Sequence, residues 1–365
     1  MTVPLLDLTR QYCQIKDEVK PVVDSIMESQ RFVNGPIVRE FEQNFAKFCG
    51  TNFAIGCSSG TDALLMSLTA LDIGCEHEVI TVPFTFFATV EVIIRRGASP
   101  VFVDIDKDCF TMNVEQIEAA ITKKTKAIIP VHLFGQCANM DEIKKIAKKY
   151  NLLVIEDSAQ AVGSTWEQSR AGSMGDVGCF SFFPSKNLGA FGDGGMVTTN
   201  SEALYEKMLR TRQHGIDMKN PYYYDHLGGN FRLDALQAGV LNVKLKYIEE
   251  WQAKRRKNAE YYNQHINNNN IIKPFSDSRS YHVYNQYVIR TENRDELKKQ
   301  LISNNIGCSI YYPYPIHLQP CISMLNYHLG DFPVTEKACE QVLALPIFPE
   351  LTIAELDMVI EVINQ

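Results

Sequence analysis

The chain of 365 residues carries a formal net charge of −7, with 45% hydrophobic and 22% charged residues. That length exceeds one small core and predicts two domains, and the composition is that of an ordinary globular protein. The acidic balance and the lack of a long Lys/Arg run argue against nucleic acid as a partner. Lys123-Lys124, Lys144 to Lys149 and Lys254 to Lys257 each read as a solvated helix or loop face. No run of about 18 apolar residues marks a membrane span. Met1-Thr2-Val3-Pro4 shows no basic-then-apolar leader pattern. Ten cysteines without a CxxC pair predict free thiols in a reducing compartment, the cytoplasm, and the eight histidines show no metal-ligand spacing, so no metal is expected.

From about residue 53 to 200, short apolar or β-branched runs alternate with longer helical stretches. The runs are Phe53–Cys57, Glu78–Val82, Pro100–Asp104, Lys126–Val131, Leu152–Glu156, Gly178–Phe182 and Met196–Thr199. Between them lie amphipathic segments such as Asp141–Tyr150. The alternation predicts an α/β domain with a mostly parallel seven-stranded sheet covered by helices. Ligands bind such sheets beyond the carboxyl ends of the strands. Leu233 to Ile266 reads as one long helix, with Gly239 its only internal Gly and no Pro. The tract Asn267–Asn270 reads as a linker. A smaller C-terminal α/β unit follows, with a strand near Tyr284–Ile289, a helix near Arg294–Asn304, a strand near Cys308–Tyr312 and two last helices. We set the domains at 1–250, holding the ligand, and 251–365.

Three clusters follow strands. Ser58-Ser59-Gly60-Thr61-Asp62 opens a helix, where free N–H groups can bind an anion and Gly60 lets a phosphate approach; a plain N-cap uses the same residues. Asp157 ends the apolar strand before Ser158-Ala159-Gln160. A carboxylate there can keep a pyridine nitrogen protonated, or can simply cap the next helix. Glu156 alternates to the opposite face. Lys186, in Ser181-Phe182-Phe183-Pro184-Ser185-Lys186, lies in an aromatic and small-residue setting where a desolvated amine attacks an aldehyde; a surface loop lysine is the alternative. Together they supply the phosphate cradle, ring-nitrogen partner and amine that a pyridoxal phosphate site needs.

At these segments the chain resembles the DegT/StrS family of sugar aminotransferases. Val3–Leu8, Val131-His132-Leu133-Phe134-Gly135-Gln136, Gly229-Asn230-Phe231-Arg232-Leu233-Asp234 and Tyr312-Pro313 agree as well, in order along nearly the whole chain. The resemblance implies a fold-type I homodimer with shared active sites. Lys186 and Asp157 would be catalytic, Lys186 holding pyridoxal 5′-phosphate as a Schiff base and Asp157 facing its ring nitrogen. Gln160 would contact the ring hydroxyl, Phe86 would stack on the ring, and Gly60, Thr61 and Ser181 would hold the phosphate. Asn230 would reach that phosphate from the other subunit. Arg232, Tyr312 and His317 are the implied substrate contacts. Where many relatives carry His before the Tyr-Pro pair, this chain has Tyr311. The implied reaction moves an amino group, with pyridoxamine phosphate as intermediate, from a donor such as L-glutamate to a nucleotide-linked keto sugar. The product would serve a cell-surface polysaccharide or a secondary metabolite. The rivals are a dehydratase on the same fold and a non-catalytic regulatory protein.

Overall fold

The computed structural model describes every residue except Met1, Met218 and Pro221. Two amphipathic helices open the chain, α1 (Leu8–Ser29) and α2 (Pro36–Cys49). The Asp7 carboxylate caps α1 by accepting from the Thr9 and Arg10 N–H groups. Pro36 starts α2, and Gly50 ends it in the left-handed conformation.

The strand–helix alternation then follows as β1 (Phe53–Cys57), α3 (Gly60–Ala70), β2 (Glu78–Thr81), α4 (Ala88–Arg95), β3 (Ser99–Phe102), α5 (Ile117–Ala120), β4 (Thr125–Ile128), α6 (Met140–Tyr150) and β5 (Leu153–Asp157). A short pair, β6 (Thr165–Trp166) and β7 (Ser169–Arg170), precedes β8 (Val177–Ser181), β9 (Gly195–Thr199) and α7 (Glu202–Thr211). The main sheet has seven strands in the order β1-β9-β8-β5-β4-β2-β3. β9 runs antiparallel to both neighbours, and the other pairs are parallel.

Helix composition explains the layering. In α6, Met140, Ile143, Ile146 and Ala147 are buried while its lysines face out, with Asp141 and Glu142 in the first turn and Lys148 and Lys149 in the last. α3 is apolar almost all round: Ala63, Leu64, Met66 and Leu68 pack in one core with Ile55, Ile155 and Val197 of the sheet. Each large side chain so buried contributes about 2 kcal/mol.

The rest of the chain forms α8 (Ala235–Leu245), α9 (Ile248–His265), β10 (Ser280–Tyr281), β11 (Tyr287–Arg290), α10 (Arg294–Ser303), α11 (Pro333–Gln341), β12 (Val342–Leu345) and α12 (Ile353–Asn364). The single helix expected from Leu233 to Ile266 is therefore two, broken at Lys246-Tyr247. The break lets α8 lie on α1 and α2 while α9 turns away, from Trp251 beside α1 to Ala259 and Tyr262 in a second core. Gly239 is needed in α8 because a Cβ there would meet Val22 and Ile26 of α1, each at 2.8 Å. The expected strand at Cys308–Tyr312 is also corrected. Only Ser309 bridges to Ala344, and the partner of β11 is β12, in antiparallel register. The second core gathers Tyr262, Tyr287, Leu301, Leu343, Phe348 and Leu356, and Val3 joins it from the start of the chain. Among the described residues no helix is long and apolar enough to cross a membrane, and no His/Cys/Asp/Glu group is arranged to hold a metal.

Candidate active site

The ends of β1, β2, β5 and β8 and the start of β9 border one cavity of 640 Å³. Of the residues singled out in the sequence, Gly60, Thr61, Phe86, Asp157, Gln160, Ser181, Lys186 and Tyr312 all line it.

Its floor is the turn from β1 into α3. Ser59 caps the helix, its Oγ accepting from the Asp62 N–H at 3.1 Å, and the Asp62 carboxylate accepts in turn from Ser58 Oγ at 2.6 Å. The N–H groups of Gly60 and Thr61 fall in the first turn, where no intrahelical acceptor exists. A Cβ on Gly60 would lie 2.7 Å from Ser181 Cβ, so β8 and α3 approach as closely as they do only with glycine here.

Asp157 is 5% exposed. Thr89 Oγ1 donates to its Oδ2 at 2.7 Å, and the Ala159 N–H donates to Oδ1 at 3.2 Å. Burial pushes the Asp157 carboxyl up from its ordinary value, opposed by these two donors and by the charge of Lys186. Lys186 follows β8 on a tight loop: a Cβ on Gly189 would sit 2.2 Å from the Pro184 carbonyl oxygen. Burial lowers the Lys186 amine to about 8, with Asp157 pulling the other way. A lysine so depressed is largely neutral in mild base and nucleophilic.

The upper wall is oriented by Gln160. Its Oε1 accepts from the Phe134 N–H at 2.7 Å, and its Nε2 donates to Tyr312 Oη at 3.0 Å. Burial raises the Tyr312 phenol, which keeps it protonated. Phe86 is 59% exposed at the mouth, so it is not core packing; its ring centroid lies 6.4 Å from that of Tyr312.

Glu156 points away from the cavity, as the alternation predicted. Its carboxylate is fully enclosed and accepts from the N–H groups of Gly172, Met174 and Gly175 and from His132 Nε2. His132 Nδ1 accepts from the Ala138 N–H, which places the ring proton on Nε2.

His317 lies apart from the cavity. Its ring is enclosed in the C-terminal unit, where Nε2 lies 3.0 Å from Glu336 Oε1 and the ring meets Phe332 edge-on. It does not line the cavity, because Glu336 and Phe332 occupy its reach. Asn230 and Arg232 also lie outside the cavity of their own chain. Asn230 is exposed and bridges to Gln213, while half-buried Arg232 bridges to Cys57. The sequence reading passed over Thr85, Thr89 and Gln286, which line the cavity. Thr85 and Thr89 stand four apart around Phe86, the spacing that puts two side chains on one helical face.

This donor set fits pyridoxal phosphate. A glycine-dependent cradle at a helix start suits the phosphate, a buried carboxylate suits the ring nitrogen, and a depressed lysine amine lies in the same cavity. The comparisons agree. Residues 13–364 match the DegT/DnrJ/EryC1/StrS aminotransferase family. The chain is 46% identical to a pleiotropic regulatory protein of Geobacillus stearothermophilus, over 100% of this chain and 98% of that one. It is 41% identical to the UDP-N-acetyl-3-dehydro-alpha-D-glucosamine 3-aminotransferase of Acidithiobacillus ferrooxidans, over 100% and 97%. The crystal structure of S. venezuelae DesV in complex with a ketimine intermediate superposes with a TM-score of 0.96 at 36% identity, covering 100% of this chain and 98% of that one. The chain belongs to the DegT/DnrJ/EryC1/StrS aminotransferase family, and it is a pyridoxal-phosphate-dependent aminotransferase.

Proposed function

We propose that this enzyme aminates a keto sugar carried on a nucleotide, with L-glutamate as the amino donor, in the cytoplasm. The observation that carries the reading is a depressed lysine amine and a buried carboxylate in a cavity whose mouth holds exposed Phe86 and Phe183, 59% and 51% accessible. Such a mouth suits a substrate larger than a free keto acid. The nucleotide-linked sugar in the name of the Acidithiobacillus relative supports the same class.

When bound, pyridoxal phosphate supplies an electron sink that makes a C–H bond beside nitrogen acidic. The chain's residues do the rest. The Gly60 and Thr61 N–H groups and Ser181 Oγ would hold the phosphate. The Asp157 carboxylate would keep the ring nitrogen protonated, Gln160 would meet the ring hydroxyl, and Phe86 would offer a stacking face worth about 1 kcal/mol. Nζ of Lys186 would anchor the cofactor and then carry the proton between cofactor and substrate, taking it from the donor carbon in the first half of the reaction and delivering it to the sugar carbon in the second. Tyr312, held by Gln160, would face the substrate. Lys186 favours this reading over a dehydratase, and the complete set of cavity residues favours it over a regulatory protein without catalysis.

The enzyme would act as a homodimer in which Asn230 and Arg232 complete the partner's site. Asn230 is exposed, and neither residue lines the cavity of its own chain, which supports this. The domain division near residue 250 is supported by the second core, to which residues around Val3 return.

The test is to supply the holoenzyme with L-glutamate and a panel of UDP- and dTDP-linked 3-keto and 4-keto sugars. Release of 2-oxoglutarate with at least one of them is expected. Brisk turnover of free keto acids with silence on every nucleotide sugar would overturn the proposal.

A further inference from the structure

The segment Thr85-Phe86-Phe87-Ala88-Thr89 does more than carry the aromatic face. Thr85 and Thr89 are buried, and their hydroxyl oxygens lie 3.0 Å apart. Thr89 spends its single proton on Asp157 Oδ2 at 2.7 Å, so toward Thr85 it can only accept. The protons therefore run in one direction, from Thr85 to Thr89 to the carboxylate. Oδ2 takes the short Thr89 bond, while Oδ1 takes only the longer Ala159 N–H bond at 3.2 Å and keeps acceptor capacity, and Asp157 lines the cavity. The titratable groups facing Asp157 are Lys186 after β8, His132 after β4, Cys179 within β8 and Tyr312 from the C-terminal unit.

We propose that Thr89, itself held by Thr85, is a positioning residue that fixes the Asp157 carboxylate with Oδ2 occupied and Oδ1 presented to the cofactor ring. The proposal rests on the reading of Asp157 as the ring-nitrogen partner. It ties the stacking face and the carboxylate to one five-residue segment. A shift of α4 that moved Phe86 would also release Asp157.

The experiment compares full-length Thr89→Val, which deletes the hydroxyl at nearly equal volume, with Thr89→Ser, which keeps it. The apoprotein is labelled with carboxyl-¹³C aspartate, the Asp157 resonance is assigned by its loss in Asp157→Asn, and its titration is followed. Pyridoxal phosphate binding is measured by equilibrium dialysis. Losing a charge-assisted hydrogen bond in Thr89→Val is expected to move the Asp157 midpoint up by about one pH unit and to weaken cofactor binding about tenfold. Thr89→Ser restores both, which a merely space-filling role would not require. If Thr89→Val does not fold, Thr85→Val decides, with the same upward movement on a smaller scale; an unmoved midpoint there overturns the proposal. Thr89→Val matching wild type while Asp157→Asn binds the cofactor poorly overturns the inference alone. Undiminished binding in Asp157→Asn overturns the ring-nitrogen reading and the inference with it.

Discussion

Replacing Gly60 by alanine probes the phosphate cradle with one methyl group. Gly60 lies in helical backbone, where alanine is favoured, so the expected damage is steric. The new Cβ would meet Ser181 at 2.7 Å from Cβ, 3.3 Å from Cα and 3.4 Å from Oγ. Carbon atoms prefer about 3.5–4.0 Å, so α3 and β8 must part by roughly 1 Å. Neither wall yields easily. Ser181 pairs with Gly195 of β9, and Gly195 is itself pressed against Ser59, whose carbonyl oxygen would be 2.3 Å from a Cβ there. Overpacking of this kind costs about 1–3 kcal/mol. If that cost falls on the bound geometry, affinity for pyridoxal phosphate drops roughly 5- to 150-fold. Equilibrium dialysis of the apoprotein measures the affinity, and the thermal midpoint of the apoprotein measures the part of the cost paid without ligand. Adding Ser181→Gly removes the closest clashing atom and should recover part of the apoprotein midpoint. Wild-type affinity and an unchanged midpoint in Gly60→Ala would refute the reasoning.

Other perturbations have equally definite outcomes. In Glu156→Gln the amide nitrogen must face at least one of the donors that now meet the carboxylate, so a loss of about 3–5 kcal/mol is expected in denaturant unfolding; a loss below 1 kcal/mol would show that the enclosed charge is dispensable. The Lys186 amine, lowered by burial to about 8, is protonated and unreactive below that pH. Borohydride trapping of pyridoxal phosphate on the apoprotein should therefore rise with pH and reach half its plateau near 8; a midpoint near 10 would mean an ordinary solvated lysine. Mixing Asn230→Ala with Lys186→Ala subunits should restore up to about half the activity per mixed dimer, because one site then carries both defects and the other neither. Inactive verified mixed dimers would place Asn230 in its own subunit's site.

The strands of the main sheet were legible because each is a short, largely apolar or β-branched run, and β5 and β8 end in the polar residues Asp157 and Ser181. The same strand ends are where the cavity forms. Glu156 and Asp157 show how far period-two alternation reaches: adjacent carboxylates went to opposite sides of the sheet, one structural and one in the site. The break at Lys246-Tyr247 was invisible since neither residue opposes helix. It follows from the two cores that α8 and α9 serve. Val342–Leu345 is too short and too uniformly apolar for periodicity to tell strand from helix. The setting of His317 was not legible because its hydrogen-bond partner, Glu336, lies nineteen positions later. Nothing in the sequence singles out Thr89, because its proton goes to a carboxylate 68 residues away.

The docking of Val3 sets an order of events during synthesis. Its N–H donates to the Asn305 carbonyl and its carbonyl accepts from Gly307, while Arg10 bonds Glu355. A ribosome adds about 5–20 residues per second, so Val3 waits on the order of 15–60 s for Asn305 to be made. Through that interval the main sheet can assemble, but the second core has no Tyr287, Leu301 or Phe348 to close over Tyr262. The final closure thus joins residues separated by most of the described chain. Until then the nascent chain presents an unfinished apolar face, on which a chaperone has most to do.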